Sequence, residues 1–443
     1  MSRSRRRKLP KEPIETVIED LSHDGRGVAS VGEKTVFVHG ALPQERVLAR
    51  ITGRRRNFDE GEVLEVFEAS PDRVVPSCPH FGQCGGCSLQ HLDPGKQIEF
   101  KQNSLLQNLA RIGKVTAEVI WEPLTGPLWS YRRKARLSVR YVHKKERVLV
   151  GFRERYGRFV ADMQECLVLD SRIAEKLGEL SGLIHSLDAR RTIPQLEVAC
   201  GDNECALVFR HLEPLGEGDL DKLKAFARES GIAVLLQPSG PASIHCLEPD
   251  KLELEFELPE QGIRLAFQPS DFIQINAEMN RKMVARVLEL LDPADGDRIL
   301  DLFCGLGNFT LPIARRAGKV VGVEGDSELV RRAGMNAERN GLGNVSFHTA
   351  DLNEDPGSAP WLKQSYDKVL VDPPRSGAEF ILPHIVTSGA KRLVYVSCHP
   401  ASLARDAGIL VHQHGFKLLG AGVMDMFPHT GHVESIALFE RSV

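Results

Sequence analysis

The chain has 443 residues, more than one hydrophobic core usually serves, so two or three domains are expected. No apolar run approaches the roughly 20 residues that cross a bilayer, and the basic start at residues 1–8 leads to Pro10 without the apolar segment of a signal peptide. The protein is therefore expected to be cytoplasmic, and its net charge is -3. In that reducing compartment its 9 cysteines are expected to be thiols, metal ligands or nucleophiles rather than disulfides.

The N-terminal segment consists of short alternating runs separated by glycine, which is typical of a small closed β-barrel. The predicted strands are 15–20, 27–31, 34–38, 46–51 and 62–66. Residues 23–29 and 38–45 resemble the TRAM domain, an OB-like module of RNA-modifying enzymes. The loop 54–58 places three arginines beside Phe58, which suits an RNA backbone and a stacked base. The alternative is a barrel that serves only contacts between copies of the chain.

Three cysteines follow the barrel at the spacing C-x5-C-x2-C, in a glycine-rich loop: Cys78, Cys84 and Cys87. Three thiolates this close in sequence can converge on one soft metal centre, and a fourth ligand must come from elsewhere. The spacing does not choose among Cys166, Cys200, Cys205 and Cys246, nor between zinc and an iron-sulfur cluster. It does differ from the C-x3-C-x2-C of radical enzymes with one open iron.

A helix is predicted over residues 93–113 as a candidate to dock on the C-terminal domain, with apolar residues on one side. A basic segment follows between Arg132 and Arg158, where eleven arginines and lysines face only Glu146 and Glu154. This segment is a candidate phosphate-binding face, and a merely solvated strand face is the alternative. The alternating strands 136–141 and 196–199 predict an RNA-facing sheet around the cysteine loop.

Residues 298–310 have the pattern of a strand, a tight turn and a helix, with glycines at Gly305 and Gly307 in the turn. Glycine lets the main chain approach a ligand closely, and ligands of open parallel sheets lie beyond the carboxyl ends of the strands. The third glycine of a dinucleotide fingerprint is absent, because Asn308 and Phe309 stand there. The turn therefore predicts a nucleotide-type cofactor site of another kind.

Acidic residues close the next three strands. Glu324 ends the run 319–324, where a carboxylate can hydrogen-bond to a ribose diol. Asp351 follows 347–350, where a carboxylate can accept from an adenine amine. Asp372 precedes Pro373-Pro374-Arg375. This series resembles the S-adenosylmethionine-dependent methyltransferases and predicts a Rossmann-like α/β domain. The alternative is a plain doubly wound domain with acids at loop positions.

Another buried strand, 393–397, ends in Cys398. Its neighbours in the sheet hold the cofactor, so this thiol is placed where a substrate meets the reactive group, and it is the candidate nucleophile. Cys304 is the rival, but it lies inside the cofactor turn.

The motifs at 372–375, 396–400 and 425–434 resemble the RNA 5-methyluridine methyltransferase family. With the barrel and the cysteine loop the resemblance covers almost the whole chain, and it is closest to members that carry an iron-sulfur cluster and act on 23S rRNA. It implies a TRAM domain at 9–68, a central RNA-binding domain with the cluster at 69–262, and a catalytic domain at 263–443. The tRNA-specific relatives lack both additions.

The resemblance also implies the chemistry, which is S-adenosylmethionine-dependent methylation of uridine C5 after covalent addition of Cys398 to C6. Glu434 is the expected base that removes the C5 proton, with His429 and His432 as alternatives. Pro374 argues for uracil, because cytosine-5 enzymes have a cysteine beside the corresponding proline. The positions implied for the cofactor are Gln274, Phe303, Asn308, Glu324, Asp351 and Asp372, and for a 4Fe-4S cluster Cys78, Cys84, Cys87 and Cys166. The family often has Asn at the position of Asp351, which puts that contact's geometry in doubt.

The expected partner is 23S rRNA before full ribosome assembly, with no membrane contact, and the protein is expected to be a monomer. Two other functions stay open. One is the same chemistry on a tRNA uridine. The other is a redox-sensing RNA-binding protein with a vestigial methyltransferase domain, which the intact Asp301, Gly305, Gly307, Glu324 and Asp372 disfavour.

Overall fold

The computed structural model describes residues 9–10, 12–357 and 359–441, so the basic start at 1–8 lies outside the described residues. The chain forms two compact units. Of the described residues, the first unit contains those up to Lys101, Arg153–Phe159 and Phe427–His432, and the second contains Gln102–Phe152, Val160–Met426 and those from Val433 onward. Across the described ranges, every helix is too short or too polar to traverse a bilayer.

The first unit is built on a six-stranded barrel sheet with the order β1-β5-β6-β4-β3-β2. Its strands are β1 (Ile14–Val17), β2 (Asp20–Leu21), β3 (Gly27–Val31), β4 (Lys34–His39), β5 (Arg46–Arg54) and β6 (Phe58–Glu68). The first predicted strand is divided in two at the buried Ile18, because the chain pairs first with β5 and then with β3. This change of partner closes the barrel around small and β-branched side chains: Ala29, Val36, Val38, Val47, Ala49 and Ile51.

A helix and a short strand lead onward along the chain. They are α1 (Pro94–Asn108), which continues into a wider helical turn at Leu109–Gly113, and β7 (Val119–Ile120). The Asp93 side chain accepts from the backbone N–H of Gly95 at 2.9 Å and so satisfies one of the free donors at the start of α1.

The central region belongs to the second unit and forms a six-stranded sheet in the order β13-β12-β11-β10-β8-β9. The strands are β8 (Lys134–Val142), β9 (Arg147–Gly151), β10 (Gln195–Cys200), β11 (Cys205–Arg210), β12 (Ala233–Gln237) and β13 (His245–Glu248). The helices of this region are α2 (Ser171–Ala174), α3 (Leu177–Ser186) and α4 (Glu217–Ser230), and a hairpin of β14 (Leu254–Leu258) and β15 (Ile263–Phe267) follows.

The expectation that no cysteine forms a disulfide is wrong for one pair. Cys200 and Cys205 are partners in the register of β10 and β11, and a disulfide joins them. The reason is the tight turn between these strands, which places residues five apart directly opposite each other. Both sulfurs are therefore unavailable as the fourth ligand of the cysteine loop.

The C-terminal domain has an eight-stranded sheet in the order β18-β17-β16-β19-β20-β22-β21-β7. Its strands are β16 (Arg298–Leu302), β17 (Lys319–Glu324), β18 (Val345–Thr349), β19 (Lys368–Val371), β20 (Arg392–Ser397), β21 (Lys417–Met424) and β22 (Glu434–Glu440). The helices are α5 (Ala277–Leu291), α6 (Thr310–Ala314), α7 (Ser327–Arg339), α8 (Leu382–Thr387) and α9 (Pro400–His414). Strands β16 to β20 are parallel, and β22 is antiparallel to β20.

The strand order reverses between β16 and β19, so the crevice beyond their carboxyl ends is the expected ligand site of this fold. On another side of the domain, the turn Leu109–Gly113 packs on α9. The two backbones approach so closely that a Cβ added at Gly408 would lie 2.8 Å from the carbonyl oxygen of Gly113.

Candidate active site

The cofactor turn after β16 has an unusual backbone. Phe303, Gly305 and Gly307 have positive φ values of 64°, 53° and 89°. For Phe303 this left-handed conformation costs on the order of 1–3 kcal/mol and persists only where the surroundings determine it. Here the N–H groups of Phe303 and Cys304 both donate to the carbonyl oxygen of Val323, at 2.8 and 3.1 Å. A Cβ at Gly305 would meet no atom within 4 Å, so this side of the turn is open to a ligand.

Glu324 connects the turn to the next strand and helix. Its Oε2 accepts from the N–H of Gly305 at 3.1 Å, and its Oε1 accepts from Gly325 at 2.8 Å and Asp326 at 3.1 Å. These backbone donors hold the carboxylate at the carboxyl end of β17, beside the open side of the turn.

Two more carboxyl groups lie at the ends of β16 and β19. Asp301 is fully buried, accepts from the hydroxyl of Thr310, and has no partner for Oδ1. Burial raises the pKa of Asp301 to about 7, with smaller contributions from the charges of Asp372 and Glu324. Burial also raises the pKa of the partly exposed Asp372 to about 7, and the charge of Glu324 adds to it. Three neighbouring carboxyl groups whose charges influence one another favour a cationic ligand, because a cation stabilises their ionised forms.

Asn308 is held in place by a side chain of α5, a contact that the sequence did not predict. Its amide and that of Asn280 on α5 exchange two hydrogen bonds of 2.9 Å, and Asn280 is fully buried. No signal in the sequence marks Asn280, because the pairing depends on how closely α5 approaches the turn.

Gln274 and Asp351 have partners of their own. The carbonyl oxygen of Gln274 accepts from Nε of Arg133 at 2.9 Å. Asp351 is exposed, and its Oδ1 accepts from the backbone and side-chain nitrogens of Asn353 at 2.9 and 3.1 Å. Each of the cofactor candidates except Gln274 lies at or after the carboxyl end of a parallel strand, and Gln274 lies before α5.

Cys398 is partly exposed at the carboxyl end of β20. The register of β20 and β22 pairs Ser397 with Ser435, which places the thiol beside Glu434 at the start of β22. Burial raises the pKa of Cys398 to about 11, the charges of Glu434 and Asp372 raise it further, and that of Arg375 lowers it. Because β19 and β20 are parallel neighbours, Cys398 lies at the same edge of the sheet as Asp372.

Cys304, the rival nucleophile, is 3% exposed. It lies beneath the turn, where a Cβ at Gly322 would approach its sulfur to 3.0 Å, and burial raises its pKa well above the usual value. Of the two thiols, Cys398 is the accessible one.

The cysteine loop lies in the first unit and Cys166 in the second. The Cys84 sulfur accepts from the N–H of Gly86 at 3.3 Å, while burial and then the nearby Cys78 raise its pKa. Cys166 is buried, and its N–H donates to the carbonyl oxygen of Ala174 at 2.9 Å. Asp170 lies within 4.8 Å of the sulfurs of Cys200 and Cys205, but a disulfide offers no thiolate to a metal.

The two histidines considered as alternative bases belong to the first unit. His429 is buried, its N–H donates to Oε1 of Gln97 at 2.9 Å, and its Nδ1 lies 3.3 Å from Nε2 of Gln97. The His432 ring packs against Phe427 with their centroids 5.3 Å apart. These contacts support a structural role for His429, whereas His432 is exposed.

Comparison with known proteins agrees with this arrangement. The chain matches the family described as tRNA (Uracil-5-)-methyltransferase at residues 101–355 and 361–442, and the TRAM domain at residues 12–64. It is 56% identical over 438 residues, 99% of this chain and 98% of the relative, to the 23S rRNA (uracil(1939)-C(5))-methyltransferase RlmD of Alkalilimnicola ehrlichii. Its identity to the protein of the same name from Xanthomonas euvesicatoria pv. vesicatoria is 55% over 444 residues, 100% of both chains.

A solved structure shares the fold. Pyrococcus abyssi tRNA (uracil-54, C5)-methyltransferase, in complex with S-adenosyl-L-homocysteine, superposes with a TM-score of 0.73 at 23% identity, over 96% of this chain and 100% of that chain. The predicted α/β enzyme with a Rossmann-like methyltransferase domain and an N-terminal TRAM domain is thereby confirmed. The chain belongs to the tRNA (uracil-5-)-methyltransferase family.

The environment of Cys398 predicts how its thiol reacts. We expect slow alkylation by iodoacetamide at about pH 8, and a rate that rises roughly tenfold per pH unit toward the thiol pKa of about 11, because only the thiolate reacts. Glu434→Gln removes a neighbouring negative charge and should speed the reaction at about pH 8. Peptide mass spectrometry separates Cys398 from the other thiols.

The matched control is Glu440→Gln, at the far end of the same strand, which should leave the rate unchanged. A rate independent of pH, or a slower reaction in Glu434→Gln, would contradict this description of the site.

Proposed function

We propose that this protein transfers a methyl group from S-adenosylmethionine to C5 of a uridine in 23S rRNA. The observation that carries the proposal is the accessible thiol of Cys398 between Glu434 and the acidic crevice at the strand ends. The names of the relatives at 56% and 55% identity state this reaction for those proteins. An rRNA substrate also supports a cytoplasmic location for this protein.

The crevice fits S-adenosylmethionine, which carries a sulfonium, an ammonium and a ribose diol. The unpartnered Oδ1 of Asp301 and the raised pKa values of Asp301 and Asp372 describe acids that a cation would favour in their ionised form. The residues that we propose to hold the cofactor are Gln274, Phe303, Asn308, Glu324, Asp351 and Asp372. When bound, it supplies an electrophilic methyl group.

Cys398 begins the reaction as its thiolate: after the thiol proton has passed to solvent, the sulfur forms a bond to C6 of the uracil. The electron pair of the C5–C6 double bond then moves toward C5 and the O4 carbonyl, so C5 becomes nucleophilic. Once C5 carries both a hydrogen and a methyl group, the Glu434 carboxylate takes that proton. The electron pair released at C5 restores the double bond and expels the Cys398 thiolate.

The charges around Cys398 also regulate its readiness to attack. A pKa of about 11 leaves roughly one thiolate in ten thousand at neutral pH. Burial is the main cause, and the negative charges of Glu434 and Asp372 contribute. A cationic ligand beside Asp372 would offset part of that negative field, so binding of the cofactor is expected to activate the nucleophile.

The barrel offers a surface for RNA. The Arg26 guanidinium lies over the ring of Phe37 at 4.6 Å, and Phe37 contacts Phe58 edge-to-face with centroids 5.3 Å apart. On the same unit the half-exposed ring of Tyr156 contacts His39, with centroids 5.0 Å apart. Aromatic faces interleaved with arginine suit stacked bases and a phosphate backbone. We assign 23S rather than transfer RNA because the relatives at 56% and 55% identity are named for 23S rRNA.

We further propose that Cys78, Cys84, Cys87 and Cys166 hold a 4Fe-4S cluster. The donor set fits, since thiolates are the ligands of such clusters, and the Gly86 N–H donates to the Cys84 sulfur in the way that stabilises a thiolate ligand.

The function is tested by mapping 5-methyluridine across total RNA from cells that lack the protein and cells that carry it. We expect one 23S uridine to lose its methyl group and to regain it with the wild-type chain but not with Cys398→Ala. Calorimetry should show that Cys398→Ala still binds S-adenosylmethionine. Loss of the modification from tRNA instead of rRNA would identify tRNA as the substrate. An active Cys398→Ala variant would exclude covalent catalysis by this residue.

Glu434→Gln should stall elimination, because the C5 proton then has no carboxylate to accept it. We expect a covalent protein-RNA adduct on a denaturing gel, which the double variant Glu434→Gln, Cys398→Ala should abolish. If methyl transfer continues at the wild-type rate and no adduct forms, another residue is the base.

For the cluster, anaerobically purified protein should contain about four iron and four sulfide per chain. Cys84→Ser should lose both, whereas Cys246→Ser should retain them. Zinc in place of iron and sulfide would identify the alternative metal centre.

A further inference from the structure

Asp406 lies on α9, eight residues after Cys398 in the chain, and its carboxylate is fully buried. Oδ2 accepts from the hydroxyl of Tyr395 at 2.6 Å and from the N–H of Ala378 at 2.7 Å. Oδ1 pairs with Arg405 at 2.7 Å. One carboxylate therefore connects β20, α9 and the loop that follows Asp372.

The loop is held against α9 at further points. Gly377 has a φ of 81°, and a Cβ there would lie 2.7 Å from Oδ2 of Asp406. The Ser402 hydroxyl donates to the carbonyl oxygen of Arg375 at 2.9 Å and lies 3.0 Å from Nδ1 of His399. The segment that follows the nucleophile thus clamps the segment that follows Asp372.

The loop carries Arg375, the one cation among the three charged groups that act on Cys398. Asp372 acts on the thiol from the position just before the loop, and Glu434 acts on it from β22. Residues 373–381 belong to no strand or helix, so no ladder of backbone hydrogen bonds sets their position. Within this segment the Gly377 N–H donates to the carbonyl oxygen of Pro374, and side-chain contacts from α9, chiefly those of the buried Asp406, connect the segment to that helix.

We propose that Asp406 is a positioning residue, which keeps Arg375 within electrostatic reach of Cys398 by anchoring the loop 373–378 to α9 and β20. The proposal rests on the proposed function only for the role of Cys398. Its alkylation test requires neither RNA nor methyl donor, so a failed methyltransferase assay and a failed positioning test are distinguishable.

The sign of the effect separates positioning from a direct effect of charge. Asp406→Asn removes a negative charge, which by itself would lower the thiol pKa and speed alkylation of Cys398. Loss of the anchor would instead move the Arg375 cation away, raise the thiol pKa and slow the reaction.

The experiment measures alkylation of Cys398 by iodoacetamide, resolved by peptide mass spectrometry across a range of pH. We expect Asp406→Asn and Arg375→Gln each to slow the reaction about threefold or more at about pH 8, with the pH profile shifted upward. The double variant should be no slower than Arg375→Gln alone, because Asp406 acts through Arg375. In methyl transfer, Asp406→Asn should lower kcat with little change in KM for the donor.

Asp219→Asn is the matched control. Its carboxylate is also buried and accepts from two backbone N–H groups, of Asp188 at 2.8 Å and Ala189 at 3.0 Å, but it lies on α4 of the central region. This variant should lower the melting temperature without changing the alkylation profile.

Should Asp406→Asn fail to fold, Tyr395→Phe removes one donor to the same oxygen and should show the slower reaction in milder form. An unchanged or faster alkylation in Asp406→Asn or Tyr395→Phe overturns the proposal. So does a slowing that persists in full in the Arg375→Gln background, because it would show that Asp406 does not act through Arg375.

Discussion

The constraint on which the site depends is the gathering of like charges at the reversal of strand order between β16 and β19. Parallel strands all deliver their carboxyl ends to one edge, and here Asp301, Glu324 and Asp372 arrive together. Burial is the main cause of the raised pKa values of Asp301 and Asp372, and the neighbouring negative charges add to it. The backbone N–H groups of Gly305 in the turn and of Gly325 after β17 stabilise the Glu324 carboxylate in this arrangement.

The same field extends to the nucleophile. Cys398 is partly buried and faces two carboxylates, so in this state its thiol is protected from ionising at neutral pH. A reactive thiolate would be open to alkylation and oxidation, whereas a thiol that ionises when a cation enters the crevice is reactive chiefly when needed. The Arg375 cation lowers the pKa of Cys398, against the effect of the carboxylates, so the position of its loop matters. The buried carboxylate of Asp406 on α9 anchors that loop.

The first unit shows a different use of buried charge. The carboxylate of Glu45 is fully buried, accepts from the N–H of Leu42 at 2.8 Å and pairs with Arg73. This pair connects the barrel to the segment that leads into the cysteine loop. A barrel fixed in this way can present its aromatic and basic side chains without needing them for its own core, which consists of aliphatic residues.

By itself the sequence determined the elements whose signals are local. Strand alternation and glycine spacing predicted the barrel, and apolar runs that end in acids predicted the doubly wound domain, because side-chain period and chain reversal are properties of neighbouring residues. Cys398, Glu324 and Asp372 could be located from their places at strand ends. Tertiary structure alone decided the partners that are distant in sequence. How the helices approach the sheet decides the Asn280–Asn308 amide pair, the difference in burial between Cys304 and Cys398, and the loop anchored by Asp406. It also decides the pKa of each site residue, because desolvation is a property of packing rather than of sequence order.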